Sequence, residues 1–415
     1  MSRKWLGVPL LLVLLGTALV ATPQLAQGDA TGFVHAVEGP GQGQLLDGAG
    51  QNFNFRGVQM ECWLLGGGPC YGGGSTTETQ TFNSLTDLMG QAGADALHAR
   101  IYNEFITEAD MQRVSQLGFN LVRVSINHRS LDTGSQGGWA ALDRLLGWAD
   151  RYGIKVILDM HAAPSPQSKA GNADYSGQPT LWEPGGRQAD TVALWHQIAA
   201  RYSGRTAVAA YDLLNEPNTN GNPDMLIALY RQIIAGIRSV DTNHLVLIQG
   251  DNGGYDLTAF LAPLDPNQAY AFHTYNHNGT VTWRQIQYFR AYSMRQGVPI
   301  LNDEFGLNTD QWVQATRTAL ENPTYKIHGW VFYNWKDPFR PGSYQDRMNT
   351  MHFVEQYVPT PAWNQVIGYV SGVANVTRPT PDQTTQGINE FFQSSAMGNT
   401  SEPPATLHAL GANGY

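Results

Sequence analysis

Cysteine and charge are what this 415-residue sequence has least of. Its two cysteines, Cys62 and Cys70, bracket a glycine-rich segment. Two thiols alone make a poor metal site, whereas their spacing suits a local loop disulfide in an oxidising compartment, geometry permitting. Charged residues are only 14% of the chain, and 25 Lys and Arg against 34 Asp and Glu leave a net charge of −9. With no cluster of basic residues, that balance argues against a nucleic-acid partner, because phosphate binding needs grouped cations. Long apolar runs are missing too, save one. Residues 6–20 are uncharged and apolar, preceded by Arg3 and Lys4 and followed by small residues up to the first acid, Asp29. This order reads as a secretory signal over 1–28 and predicts a secreted or periplasmic protein. The alternative is an uncleaved membrane anchor formed by 6–20, and no other stretch reaches spanning length. A phosphate-binding glycine fingerprint is also lacking, since Gly66–Gly68 and Gly72–Gly74 show no helix directly following them. That argues against an open doubly wound sheet.

What is present is alternation. Eight strand-like apolar runs occupy 53–60, 119–126, 154–160, 208–214, 245–250, 269–275, 299–305 and 327–335. Amphipathic helical patterns lie between them at 107–117, 139–152, 190–202, 223–240, 280–296 and 309–320. Strand and helix in repeated succession imply parallel strands with right-handed crossovers, and eight units close a (β/α)8 TIM barrel of the α/β class. Ahead of it, 33–37, 44–50 and 52–56 read as a hairpin, with Asp47-Gly48 as its turn, sealing one end. Long βα connections at 66–98 and 162–188 are expected to wall a cleft. The barrel domain spans 29–373. From 374 to 415 the chain is rich in Thr, Pro, Gln, Asn and Ser and reads as a low-complexity, poorly ordered tail.

Two of the strand runs end in an acid: Leu213-Leu-Asn215-Glu216-Pro217 and Asn302-Asp-Glu304-Phe-Gly306. Pro217 disfavours the right-handed helical region at Glu216, which stops the strand with that carboxyl at its tip. Two carboxyl groups held a fixed few ångströms apart on one sheet are what glycosidic bond cleavage needs: one to protonate the leaving oxygen, one to attack or stabilise the sugar carbon. Asn215 beside Glu216, with Arg123, His161, His273, Tyr275 and Trp335 from other strands, completes the set read as strand ends, on the face where barrels of this kind carry their chemistry.

The chain resembles the glycoside hydrolases of family 5, the large cellulase family. The resemblance runs over 33–373 through Phe55-Arg-Gly-Val, Leu121-Val-Arg123-Val-Ser, Leu158-Asp-Met-His161, Leu214-Asn-Glu-Pro217, Phe272-His-Thr-Tyr275, Asn302-Asp-Glu-Phe-Gly306 and Phe332-Tyr-Asn-Trp335. It implies that Glu216 is the general acid/base and Glu304 the nucleophile of a retaining double displacement on a β-linked oligo- or polysaccharide. Arg123 and Tyr275 would then steady Glu304, and Asn215 would bind the sugar 2-hydroxyl. His161 and His273 would hold hydroxyls and the acid/base environment, and Trp335 would lie under the sugar ring. Trp63, Trp182 and Phe339 are weaker candidates for further subsites. No cofactor or metal is implied, and a monomer is expected. Where relatives read His-x-Ala-Pro-Gly-x-Gln, this chain has His161-Ala-Ala-Pro-Ser165-Pro166-Gln167, a stiffer turn that need not shape the same subsite, so the resemblance leaves the glycan open. Two other readings compete with this one. The first is a non-catalytic carbohydrate-binding barrel. The second is a metal-dependent hydrolase using Asp159, His161, His273 and His277.

Overall fold

The computed structural model describes residues 32–132, 137–275, 283–336, 361–400 and 402–415. The signal or anchor expected at 1–28 therefore lies outside the described residues. A short antiparallel pair, β1 (His35–Val37) and β2 (Gln44–Leu46), precedes a closed barrel of eight parallel strands. These are β3 (Phe55–Leu64), β4 (Leu121–Asn127), β5 (Lys155–Ala162), β6 (Val208–Asp212), β7 (Leu245–Ile248), β8 (Gln268–Thr274), β9 (Ile300–Gly306) and β10 (Gly329–Tyr333). They pair in chain order, and β10 closes on β3. All eight fall within the apolar runs read from the sequence or overrun them by a few residues. The expected turn at Asp47-Gly48 also forms: the Asp47 carboxylate accepts from the amides of Ala49 and Gln51, and Leu46 bridges back to Asn52.

Alternation along the strands builds the interior in layers. The lower layer is apolar and made of Phe55, Leu121, Ile157, Ala210, Leu245, Leu247, Ala269, Ala271, Leu301 and Val331. Val34, Leu45 and Phe53 pack into the same cluster, so the N-terminal hairpin plugs this end of the barrel. Small alanines on β6 and β8 leave room for that plug.

The helices α2 (Glu108–Gln116), α3 (Gly138–Tyr152), α4 (Gln188–Tyr202), α5 (Pro223–Arg238), α6 (Trp283–Gln296) and α7 (Asp310–Leu320) occupy the amphipathic stretches. Two expectations fail. Most of 66–98 is not loop but α1 (Glu78–Arg100), started by a capping box in which Thr77 and Gln80 each accept the other's backbone N–H. Gly90, at φ 75°, breaks its dihedral run and blurs the apolar periodicity that would have revealed it. The segment 374–415 is not a poorly ordered tail either. It follows α8 (Pro361–Val370) and forms α9 (Pro381–Ser395) and α10 (Pro404–Ala409). Phe391, Phe392, Leu407 and Leu410 are buried there against the main core. Arg56 and Arg317 hold the last turn by donating to the carbonyls of Leu410, Gly411 and Ala409. A few well-placed apolar residues suffice to dock a helix whose average composition is polar.

Candidate active site

Above the apolar layer the barrel interior turns polar. Gln59 stands level with Arg123, Ser125 with Asp159, and Asp159 with Asp212 across β3 to β6. Arg123 is fully buried, and all five of its N–H donors are engaged. Nε and Nη2 donate to Asp212 Oδ2 at 3.1 and 2.7 Å, and Nη2 also to Asn215 Oδ1 at 2.8 Å. Nη1 donates to Gln59 Oε1 and Glu304 Oε2, both at 2.8 Å. Asp159 and Asp303 stand 3.2 and 3.6 Å from Nη2. Burial disfavours the cation, but Asp159, Asp212, Asp303 and Glu304 together hold its pKa well above the ordinary value. Burial drives the carboxyls of Asp303 and Asp159 upward, opposed by Arg123.

Adjacent residues of a strand face opposite sides, yet Asp303 and Glu304 both reach Arg123. A bulge explains it: the β8–β9 register passes from Phe272↔Asn302 to His273↔Glu304 and skips Asp303. Glu304 then accepts from Tyr275 Oη at 2.7 Å as well as from Arg123. Burial alone would raise its pKa, but His273, Arg123 and the Tyr275 hydroxyl bring it down to about 2. Glu304 is a fixed carboxylate.

Glu216 reaches the same space from β6. Its φ is 46°, a left-handed value that costs a non-glycine residue roughly 1–2 kcal/mol. Pro217 narrows the alternatives, and the Glu216 amide is anchored on Gln249 Oε1 at 2.9 Å. Its carboxyl group accepts from His273 Nδ1 at 2.8 Å and from Asn172 Nδ2 at 2.9 Å. His273, level with Glu304 on β8, is buried, which lowers its proton affinity, but Glu304, Asp303 and Glu216 raise its pKa to about 10. It is an imidazolium set between the two acids. Glu216, His273 and Glu304 each bring one nitrogen or oxygen within 4.8 Å of the others.

His161 donates from Nδ1 to Asp159 Oδ2 at 2.6 Å. Burial opposes a second proton and Asp159 favours one, raising its pKa to about 9. The hydrogen bonds argue otherwise. Arg123 can only donate, so the Asn215 atom beside it is oxygen, and the Asn215 amide N–H is aimed at His161 Nε2 at 3.1 Å. That nitrogen must accept, so His161 is neutral with its proton on Nδ1. Gln167 bridges the carbonyls of His161 and Asn215 at 2.6 and 2.8 Å, so the turn with Ser165-Pro166 still ties β5 to the end of β6.

Trp335 departs from the expectation. It is fully buried and donates from Nε1 to Asp110 Oδ1 at 3.0 Å, facing α2 rather than the acids. Tyr333, two residues earlier, is half-buried and lines the cavity beside the site. The slip is one of face, because the strand-end aromatic was read without knowing where β10 stops. Trp63 is buried and donates to Tyr102 O, Trp182 is half-buried and donates to Gln167 O, and Phe339 lies outside the described residues. Sequence reading also missed Gln59, Asp212, Gln249, Asp303 and Asn172. The first three sit at inward positions of β3, β6 and the end of β7, a period-two signal that was available. Asp303 needed the bulge, and Asn172 comes from a loop with no local signature. As for metal ligands, among the described residues the grouped candidates are Glu216, His273 and Glu304. Of the four ligands imagined from the sequence only His273 belongs to this group, Asp159 and His161 are bonded to each other, and His277 lies outside the described residues.

Comparisons with known proteins agree with this geometry. The family model described as cellulase (glycosyl hydrolase family 5) matches residues 73–338. A beta-xylosidase of Phanerodontia chrysosporium is 29% identical over 228 residues, 53% of this chain and 46% of that protein. A probable glucan 1,3-beta-glucosidase A of Aspergillus fumigatus is 32% identical over 173 residues, 40% of this chain and 41% of its own. The chain thus spans less than half the length of these two curated relatives. Among solved structures, an endogalactoceramidase shares the fold with a TM-score of 0.53 at 19% identity, covering 74% of this chain and 75% of that one. The structure named AoRut does so with a TM-score of 0.55 at 17% identity, covering 67% and 88%. Matched through the barrel that carries both acids, this chain belongs to glycosyl hydrolase family 5, the cellulase family.

Proposed function

We propose that the protein is a retaining hydrolase of β-linked glucans or related β-glycosides, working by double displacement with Glu216 as acid/base and Glu304 as nucleophile. The supporting observation is the separation of the two acids. One oxygen of each acid lies within 4.8 Å of the other, on the side of the roughly 5–5.5 Å of retaining sites rather than the roughly 6.5–9.5 Å of inverting ones. Glu304, ionised and oriented by Tyr275 and Arg123, attacks the anomeric carbon while Glu216 protonates the departing oxygen. Glu216 then deprotonates the water that hydrolyses the glycosyl–Glu304 ester. Asn215, held by Arg123, is set to bind the sugar 2-hydroxyl, a contact that strengthens toward the transition state. The order of residues 1–28 supports action outside the cytoplasm, and both acids coming from one chain supports a monomer.

A panel of β-1,3- and β-1,4-glucans, mannan, xylan and glycolipid glycosides, with products followed by NMR, tests this. Retained β-anomers should appear first, chelators should have no effect, and Glu304→Ala and Glu216→Ala should each lower kcat at least 10²–10⁴-fold with unchanged circular dichroism. Binding of oligosaccharides without release of reducing ends would favour the non-catalytic reading instead.

A further inference from the structure

The tip of β6 is gripped by the chain that follows β7. Between Gly250 and Asp256 this chain folds back on itself: Asp251 and Asp256 exchange backbone hydrogen bonds at 2.9 and 3.0 Å, and Gly250 bridges to Gly254. Asn252, Gly253 and Gly254 take left-handed φ values of 56°, 74° and 85°, which residues of these types tolerate. Gly250 is small for another reason, since a Cβ there would lie 2.4 Å from Asp256 O. The turn holds the segment after Glu216 at two points. Gly253 donates to Pro217 O at 2.9 Å, and the Asp251 carboxyl group accepts from the Thr219 amide at 2.8 Å and from the Thr219 hydroxyl.

Gln249, directly after β7, is fully buried and makes the third contact. Its Oε1 accepts from the Glu216 amide at 2.9 Å, and Gly254 closes over that oxygen so tightly that a Cβ there would lie 3.1 Å from it. Its Nε2 donates to Asp303 Oδ2 at 3.1 Å and faces the two Asp212 oxygens at 3.3 and 3.4 Å. The orientation of this amide is dictated by its neighbours. A backbone N–H can only donate, so the atom against it is oxygen, and the nitrogen then points at the two carboxyl groups. The Gln249 main chain is fixed as well, because the buried Tyr230 of α5 donates to its carbonyl at 3.0 Å. One side-chain amide therefore spans from the backbone of Glu216 to the residue immediately before Glu304.

The two ends of that span differ. Glu304 is held independently by Arg123 and Tyr275, and Asp303 stands 3.6 Å from both Arg123 Nη2 and His273 Nε2, so the β9 end is fixed. Glu216 is the end that can move. At φ 46° a glutamate keeps its backbone only while the surroundings impose it, and relaxation would carry the carboxyl group away from the space it shares with Glu304. We propose that Gln249 is a positioning residue: by tying the left-handed backbone of Glu216 to Asp303, it sets the acid/base at its working distance from the nucleophile. The inference rests on the hydrolase reading above.

Its test uses the full-length protein on 2,4-dinitrophenyl and phenyl β-glycosides of cellobiose and laminaribiose. Dinitrophenolate departs without a proton, whereas phenolate needs one from Glu216, so a displaced acid slows glycosyl transfer to Glu304 only from the phenyl glycosides. Gln249→Leu removes both contacts; Gln249→Asn keeps an amide in the site, which guards the fold, but is one carbon too short to span it. Both variants should lose about a hundredfold in kcat/KM on phenyl glycosides, the cost of roughly 1 Å of misplacement, and less than about threefold on dinitrophenyl glycosides. On the latter, kcat and KM should fall together, because the glycosyl–Glu304 ester then waits for a base. Azide needs no base: its terminal nitrogen bonds to the anomeric carbon as the Glu304 carboxylate leaves, so it should restore kcat and yield the β-glycosyl azide. Equal losses on the two substrates without azide rescue, in a variant of unchanged circular dichroism, would overturn the proposal, and so would parent-like rates on phenyl glycosides. A parent protein that cleaves neither these glycosides nor any glycan of the panel overturns the hydrolase reading, and this inference falls with it.

Discussion

At the scale of the residue, the site is governed by one guanidinium. Arg123 distributes five donors among Asp212, Asn215, Gln59 and Glu304, and a lysine could satisfy at most three such acceptors. Glu304 owes its acidity to this cation, to His273 and to the Tyr275 hydroxyl, all set against its burial. Tyr275→Phe removes a donor to the ionised form, so the nucleophile's pKa must rise. The acidic limb of the kcat/KM profile should then shift to higher pH and kcat/KM should fall about tenfold, consistent with loss of one charge-assisted hydrogen bond. A profile superimposable on that of the parent would mean that the hydroxyl is not coupled to the rate-determining ionisation.

At the scale of the element, irregularities do the positioning. The bulge in β9 turns two consecutive acids toward one arginine, and the left-handed backbone at Glu216 swings its carboxyl across to meet them. The C-terminal helices act at a distance. Phe391 of α9 stacks on Trp363 at 4.7 Å and on Phe105 at 6.0 Å, and meets Tyr71, beside the disulfide that joins Cys62 to Cys70 as their spacing suggested, at 5.9 Å. Phe391→Ala should cost roughly 3–5 kcal/mol in chemical denaturation, the range for emptying a buried aromatic position. A cost below about 1 kcal/mol would mean that α9 is only loosely attached to the barrel.

At the scale of the whole molecule, the buried acids and imidazoles set the pH response. Glu61, Glu78 and His273 have folded pKa values raised to about 7, 8 and 10, against unfolded values of roughly 4.3 for Glu and 6.5 for His. For each the folded state binds more protons than the unfolded chain once pH exceeds the unfolded value. His98 and His128, lowered to about 4 by burial, act in the opposite sense only between pH 4 and 6.5. Above pH 6.5 nothing among these groups opposes the trend, so stability must fall from pH 6.5 toward 10. Thermal unfolding followed by calorimetry should give a melting temperature that declines steadily over that window; a rise there would contradict the protonation states assigned to the site.

The sequence by itself determined the barrel, because strand and helix periodicities are local, and eight repeats admit one closed solution. It also placed Glu216, Glu304, Asn215, His161, His273 and Tyr275 near the C-terminal ends of their strands, whereas Arg123, read as a strand end, is the third residue of β4 and reaches the acids from within the barrel. Only the tertiary structure decided which neighbours those side chains share. Asp303 joins the site through a bulge that no pattern announces, Trp335 turns away because β10 ends two residues sooner, and Asn172 arrives from a loop. Likewise α1 and α9 hid behind glycine and polar composition until packing revealed their buried faces. Local periodicity is written in neighbouring residues, whereas register slips, loop approaches and docking energies belong to contacts between segments remote in the chain.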